Sequence, residues 1–481
     1  MIGTMTKQRL SFTITPDRLM SSPISLPQVT VQTDALAAIG DVEQGIIENE
    51  TIWVSCYDLS KPSVHGKVAV TISEEDRTQC AFNGSEGVEC KRINNTIFHM
   101  SCPALHINNR AVHFPKHTLN LPEPTSTKTS SKLDRGINSL DLSTDGQIWV
   151  AGLGNGSVLI GASPIVTKKG ATQLEGNFHK ASVSTVRFIN SSSGTKSRVL
   201  LGSEDFSLAL AEFPTLSPPT SNGSHTSVTQ ALPPPSIRLT SHTRSVTSAQ
   251  PLPCGKKAVS VGRDGTLRIW DLTPDYTSIS RQIGMVRSTG DVAINYFALS
   301  STPDSTTLAA LALQSGHFDL VDVETRSTLF SSSAPGFHFT KNGSLDAIDI
   351  CPLPASPHKY LLVTGSQRGV LSFYICAVGN TGVVTTSLGS CVRNGAGVSD
   401  VKFISSPNSS TDECPRVLVA TNDGLSYQLQ ISQISNVSSL EFEVVAEYAG
   451  GADCSPVRSI AWHAGSNTVW MAGDDGVIWI Y

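Results

Sequence analysis

The sequence predicts an all-β fold: a seven-bladed β-propeller preceded by a small β-rich N-terminal domain. Three observations predict it. A β-type run, a polar turn and a second β-type run occur together seven times; the turns recur at a nearly constant interval; and one further β-run precedes each unit. The units are IWVAGLGNGSVLI (148–160), VLLGSEDFSLAL (199–210), AVSVGRDGTLRIW (258–270), LAALALQSGHFDLV (308–321), LLVTGSQRGVLSFY (361–374), VLVATNDGLSYQL (417–429) and VWMAGDDGVIWIY (469–481). Their turns centre on Gly156, Phe206, Gly265, Gly316, Gly369, Gly424 and Gly476, spaced 50, 59, 51, 53, 55 and 52 residues apart. That period suits four short strands and their loops, one blade of a propeller.

Each element has a local reason. Asn155-Gly156, Asp264-Gly265, Asp423-Gly424 and Asp475-Gly476 are hairpin turns, because tight hairpins need positive φ and these pairs supply it most cheaply. The preceding runs, INSLDL (137–142), VSTVRFI (183–189), VTSAQPL (246–252), INYFALS (294–300), LDAIDIC (345–351), VSDVKFI (398–404) and VRSIAWH (457–463), supply innermost strands that read as mostly apolar and small. A lone blade cannot bury both faces, whereas seven stacked in a ring bury each sheet between neighbours. The seventh unit ends at Tyr481 after its third strand, so its fourth strand is expected from RAVHF, Arg110 to Phe114. The expected boundaries are a loose leader over 1–37, a small β-rich domain over 38–108 and the propeller over 109–481. Two low-complexity stretches, 122–132 and 214–236, cannot build a core; the second reads as a mobile loop and accounts for the longest interval.

Composition narrows the function. The chain has 481 residues, 39% of them hydrophobic and 16% charged, too few charges for a helical rod or coiled coil. With 35 basic and 40 acidic residues, net charge −5, it has no bulk electrostatic reason to seek nucleic acid or anionic lipid. No run reaches membrane-helix length, and the first residues lack a signal-peptide pattern. The ten cysteines form no CxxC pair and read as reduced, small apolar residues. Walker, HExxH and nucleophile-elbow patterns are missing, and GLGNGS (152–157) sits between two strands instead of opening a helix. His99, His106, His113 and His117 lack a carboxylate partner, so neither a metal nor a cofactor is expected and the reading is a non-enzyme.

The third unit identifies the propeller type. SHTRSV followed by AVSVGRDGTLRIWDL is a WD repeat, in which His242, Ser260, Asp264 and Trp270 form a hydrogen-bonded chain that locks a turn to a loop. The second unit keeps His179 and Asp205, with Leu210 read at the Trp position. Further motifs are Trp53-Val54-Ser55-Cys56, Lys61-Pro62-Ser63, Ile93-Asn94, His99-Met100-Ser101-Cys102-Pro103 and Gly451-Ala452-Asp453-Cys454. In combination with the propeller, the chain after about residue 38 resembles the proteasomal ATPase-associated factor family. Weak WD signatures in most blades, the 214–236 insertion and the extended N-terminus depart from that pattern.

The resemblance implies a cytoplasmic and nuclear assembly chaperone, monomeric when free. It would bind the C-terminal domain of one ATPase subunit of the proteasome regulatory particle and assist assembly of its base, without catalysis. A generic WD adaptor, such as a ubiquitin-ligase substrate receptor, is the alternative. Turn aspartates serve backbone geometry, which leaves Glu204, Arg263, Arg368 and Asp474 as the candidates for partner contact. Residues 137–481 carry 22 basic and 26 acidic side chains, a net −4 that favours a basic partner surface.

Overall fold

The computed structural model describes residues 22–76, 79–121, 135–165, 173–189, 196–214, 229–273, 281–301, 307–335, 337, 342–353, 356, 358–379, 382–404, 415–432, 440–451 and 454–481. Seven antiparallel sheets form the propeller. Their first strands are Ile137–Leu142, Val183–Ile189, Val246–Pro251, Ile294–Ser301, Leu345–Pro352, Val398–Ile404 and Val457–His463. Each first strand touches the next around the ring, and the seventh touches the first, so the ring is closed.

Three second strands, Ile148–Leu153, Thr307–Leu313 and Thr468–Gly473, are buried along their whole length, and the other four are buried except at their first residues. Both of their faces meet a neighbouring blade, which is why they read as continuous apolar runs without alternation. The core is accordingly divided: seven apolar clusters each lie between two adjacent blades. Trp149 and Trp470 fill the one between blades 7 and 1.

Ring closure differs from the sequence expectation. The fourth strand of blade 7 is His117–Asn120, antiparallel to Val477–Ile480 with His117 opposite Ile480 and Leu119 opposite Ile478. The expected segment, Arg110 to Phe114, falls mostly in Ile107–His113, which pairs in parallel with Glu441–Tyr448 of blade 6 and antiparallel with Ile97–Cys102. The two runs look alike in sequence. Val112 and Phe114, however, are buried in the core of the small domain beside Phe98 and Met100, and cannot also serve blade 7. Pro115 then separates the two strands.

The N-terminal segment is also more ordered than a loose leader. Residues 1–21 lie outside the described residues, but Ile24–Ser25 adds a parallel strand to blade 5, with Ile24 opposite Cys391. Leu26 is buried between blades 5 and 6. Gln28–Val31 opens the sheet of the small domain, which continues through Asn49–Asp58, Lys61–Ile72 and Cys80–Ser85. The helix Ala35–Glu43 covers this sheet with Ala35, Ile39 and Val42. The small domain therefore starts before residue 38 and runs beyond 108. The 122–132 stretch lies outside the described residues, as do 215–228 of the 214–236 insertion. The rest of that insertion is not a mobile loop: Thr229–Ala231 pairs in parallel with Gln173–Asn177 of blade 1, and Leu232 is buried between blades 1 and 2. A Pro/Ser-rich composition hid that one anchoring leucine.

Small domain and ring are joined by a buried ion network. Glu447 Oε1 accepts from Arg110 Nη1 at 3.1 Å and from the Val29 backbone N–H at 3.2 Å, and Arg393 Nη2 donates to Glu447 Oε2. Arg110 Nη1 also reaches the Pro27 carbonyl at 3.1 Å, and the Arg393 guanidinium lies 4.5 Å from the centre of the Tyr427 ring. All three charged side chains are buried. Removing one charge from such a network strands the others without water. Glu447→Gln should therefore destabilise the protein by about 3–5 kcal/mol, read as a lower urea midpoint.

Candidate partner-binding face and channel

The turns between second and third strands all emerge on one face of the ring. In blades 1, 2, 3, 5 and 7 they are three-residue loops, not two-residue hairpins, and in blades 4 and 6 they are longer: in blade 3, Arg263, Asp264 and Gly265 join Lys257–Gly262 to Thr266–Asp271. Only the third residue is left-handed, with Gly265 at φ 71°. The preceding Asp or Asn side chain caps the N–H two residues on: Asp264 to Thr266 at 3.1 Å, Asp205 to Ser207 at 3.1 Å, Asp423 to Leu425 at 3.1 Å, Asp475 to Val477 at 3.1 Å and Asn155 to Ser157 at 2.9 Å. These acids are occupied by the backbone.

In blade 3 the turn is locked to the loop before it. His242 Nδ1 donates to Asp264 Oδ2 at 3.0 Å, leaving Nε2 to accept from Ser260 Oγ at 2.7 Å, and Trp270 Nε1 donates to the same Oγ at 2.8 Å. Burial favours the neutral carboxyl of Asp264. The hydrogen bond and charge of His242, with bonds from Thr266 and the Thr243 N–H, outweigh it and hold Asp264 well below the usual carboxylate range. Burial lowers His242, and Asp264 offsets only part of this, so the imidazole is neutral near pH 7. Residues 234–271, spanning this arrangement, match the WD domain, G-beta repeat family. Blade 3 is a WD repeat. Such repeats are protein-interaction scaffolds. No curated protein matches the chain.

Blade 2 carries a partial version. His179 Nδ1 donates to Asp205 Oδ2 at 3.1 Å, but its Nε2 is buried with no hydrogen-bond partner among the described residues. Strand register explains this: Leu201 stands where blade 3 has Ser260, and Ala211, not Leu210, stands where it has Trp270.

The four candidate contact residues occupy the turns of blades 2, 3, 5 and 7 and are not clustered. Glu204, Arg263 and Arg368 are exposed. Asp474 is committed elsewhere, in a bidentate pair with Arg458 (Nε to Oδ1 2.9 Å, Nη2 to Oδ2 2.7 Å). The net −4 of the propeller does not extend to this face in blades 2 and 3. There Lys180, Arg244 and Arg263 are exposed beside Glu204, and the loop against the blade 3 turn adds exposed Asp291, which pairs with Arg287 at 3.0 Å. A net charge summed over a chain cannot locate its sign on one surface.

The innermost strands are also more polar than expected. Their second, third and fifth residues reach sideways to the next blade. At the second position, Ser184 Oγ donates to the Val246 carbonyl at 2.6 Å, Thr247 Oγ1 to Ile294 at 2.7 Å and Asn295 Nδ2 to Leu345 at 2.9 Å. At the third, the Leu140 N–H donates to Ser459 Oγ at 3.0 Å, and the Ile460 N–H to Asp400 Oδ2 at 2.9 Å. At the fifth, Asp141 and Asp349 accept from the Phe188 and Phe403 N–H at 2.8 and 2.7 Å, while Lys402 Nζ donates to the Ile460 carbonyl at 2.7 Å. Across the channel, Arg187 Nη2 donates to the Tyr296 hydroxyl at 3.0 Å. Aligning the seven innermost strands by their first residues would have exposed these recurring polar positions. Each group already has a structural partner, so the convergence of carboxylates does not by itself make an active site.

Burial pushes the Asp349 carboxyl up to about 6, partly offset by the Phe403 and Ile350 N–H groups, and it raises Asp400 as well. A raised carboxyl contributes stability that is complete below its unfolded value and is lost as pH rises through the folded one. Asp349→Asn should thus raise the melting temperature more at alkaline than at mildly acidic pH. Asp264→Ala, by orphaning His242 and the capped N–H groups, should cost about 1–3 kcal/mol and lower the melting temperature without changing oligomeric state.

Proposed function

We propose that this protein is a non-catalytic scaffold that binds the C-terminal domain of a proteasomal ATPase subunit and assists assembly of the regulatory particle base. The observation that carries the reading is the combination of a WD-type propeller with the motifs Trp53 to Cys56 and His99 to Pro103. These motifs lie on neighbouring parts of the small domain. Cys56 and Cys102 lie against each other in its core, where burial first and Cys102 second push the Cys56 thiol up to about 12. Both cysteines are reduced and buried, a packing role consistent with a structural motif.

A broad, rigid face of turns suits the gripping of another folded domain. The protein acts in the cytoplasm and nucleus as a monomer and leaves when the particle is complete. Calorimetry of the full chain against each ATPase C-terminal domain tests this. One-to-one binding to one of them is expected, with no nucleotide or metal. Charge reversal at Arg263 together with Arg368 should weaken that complex and flatten its salt dependence while the fold stays intact. Silence from every ATPase domain would remove the reading.

A further inference from the structure

We propose that the loops and turns of blades 2 and 3 form a preorganised docking patch for an acidic peptide segment, with Phe206 as its apolar anchor. The proposal rests on the scaffold reading and not on the proteasomal assignment.

The first observation is backbone strain without a return in packing. At the left-handed position of the turn, six blades place glycine, with φ between 70° and 87°; blade 2 places Phe206 at φ 71°. An L-residue with a Cβ is disfavoured there. The ring does not repay that cost by burial, since Phe206 is 45% exposed while glycine would serve the turn. Strain kept at an exposed aromatic points outward, to a bound partner.

The second observation is what surrounds it. The Lys180 N–H donates to Asp205 Oδ2 at 3.0 Å and the Glu204 N–H to the Ser182 carbonyl at 3.0 Å, fixing the loop that carries Lys180 to the turn that carries Phe206. Blade 3 repeats the arrangement: the Thr243 N–H reaches Asp264 Oδ2 at 3.0 Å and the Arg263 N–H reaches the Ser245 carbonyl at 2.9 Å, fixing Arg244 beside Arg263. Among the described residues, only blades 2 and 3 hold such His–Asp latches. They therefore rigidify the two loop–turn pairs that display Lys180, Phe206, Arg244 and Arg263.

None of the three cations is in an ion pair among the described residues, although Arg263 feels Asp346 at longer range. Glu204 opposes them on these loops and turns, and Asp291 beside the blade 3 turn is paired with Arg287, so the patch is complementary to carboxylates and its already fixed backbone loses little freedom on binding. Three cations on a chain of net charge −5 are too few to favour a phosphate backbone.

The test uses the full-length protein and fluorescence anisotropy with three labelled probes: a short peptide of Asp and Glu around one leucine, its counterpart with Lys in place of the acids, and an oligouridine RNA. The acidic peptide should bind, and more weakly as salt rises. Arg244→Glu with Arg263→Glu should weaken it by about tenfold or more; the paired Arg→Gln changes provide a milder variant if the reversal lowers the melting temperature. Phe206→Gly should weaken binding and raise the melting temperature together, a combination that a purely structural Phe206 would not give. Equal binding of the basic peptide, preference for the RNA, or an affinity indifferent to the Arg and Phe206 changes would overturn the proposal.

Discussion

Every innermost strand of the ring is a sheet edge, and the structure depends on how those seven edges are satisfied. One side of each strand pairs within its blade; the other turns its N–H and C=O groups toward the neighbouring blade, which does not pair with it. Unsatisfied backbone groups at that depth are costly. Side chains supply the missing partners, and recurrence at the second, third and fifth positions makes the supply a lattice. Ser184 and Thr247, two different residues at one position, make the same bond to the next blade. The requirement is for a short donor at a given depth, and not for one residue type. At the fifth position Lys402 donates to a carbonyl, and where a carboxylate sits there instead, as at Asp349, the partner changes to an N–H.

This lattice and the apolar clusters divide the labour. The clusters between blades remove most apolar area from water but are not directional. The side-chain bonds fix the height of each blade relative to the next, and the outer latches fix loops to turns. The Glu447 network does a third task, bringing the N-terminal segment, the small domain and blades 5 and 6 to a single buried carboxylate. Buried ion networks are poor sources of net stability but strong penalties for mispairing. That suits a junction where strands from distant parts of the chain must choose the correct edge.

The turn spacing made the blades legible, because glycine at a left-handed turn is a local requirement. Choosing between RAVHF and HTLN as the closing strand was not legible. Both runs have strand character, and the choice is made by Val112 and Phe114 packing against Phe98 and Met100, which lie elsewhere in the chain. Reading Leu210 in place of Ala211 was a one-residue slip, and in a strand that moves a side chain to the opposite face. The polar innermost positions were in plain view yet read as apolar, since each strand contains only two or three of them. The exposed candidates Glu204, Arg263 and Arg368 could be placed on their turns, but the pairing of Asp474 with Arg458 could not, because it joins a turn to an innermost strand of the same blade.

Joining the ring with His117–Asn120 has a temporal consequence. That strand leaves the ribosome long before its partner, Val477–Ile480, with every blade of the ring synthesised between them. Until then the nascent chain holds an open arc with an exposed blade face at each end, and the pairing that seals it is of very high contact order. Incomplete arcs are aggregation-prone intermediates. Once blades 5 and 6 exist, docking of the small domain on their edges holds the sealing strand in place. The ring therefore closes in a single event that waits for Val477–Ile480, and shielding by molecular chaperones is needed most just before it.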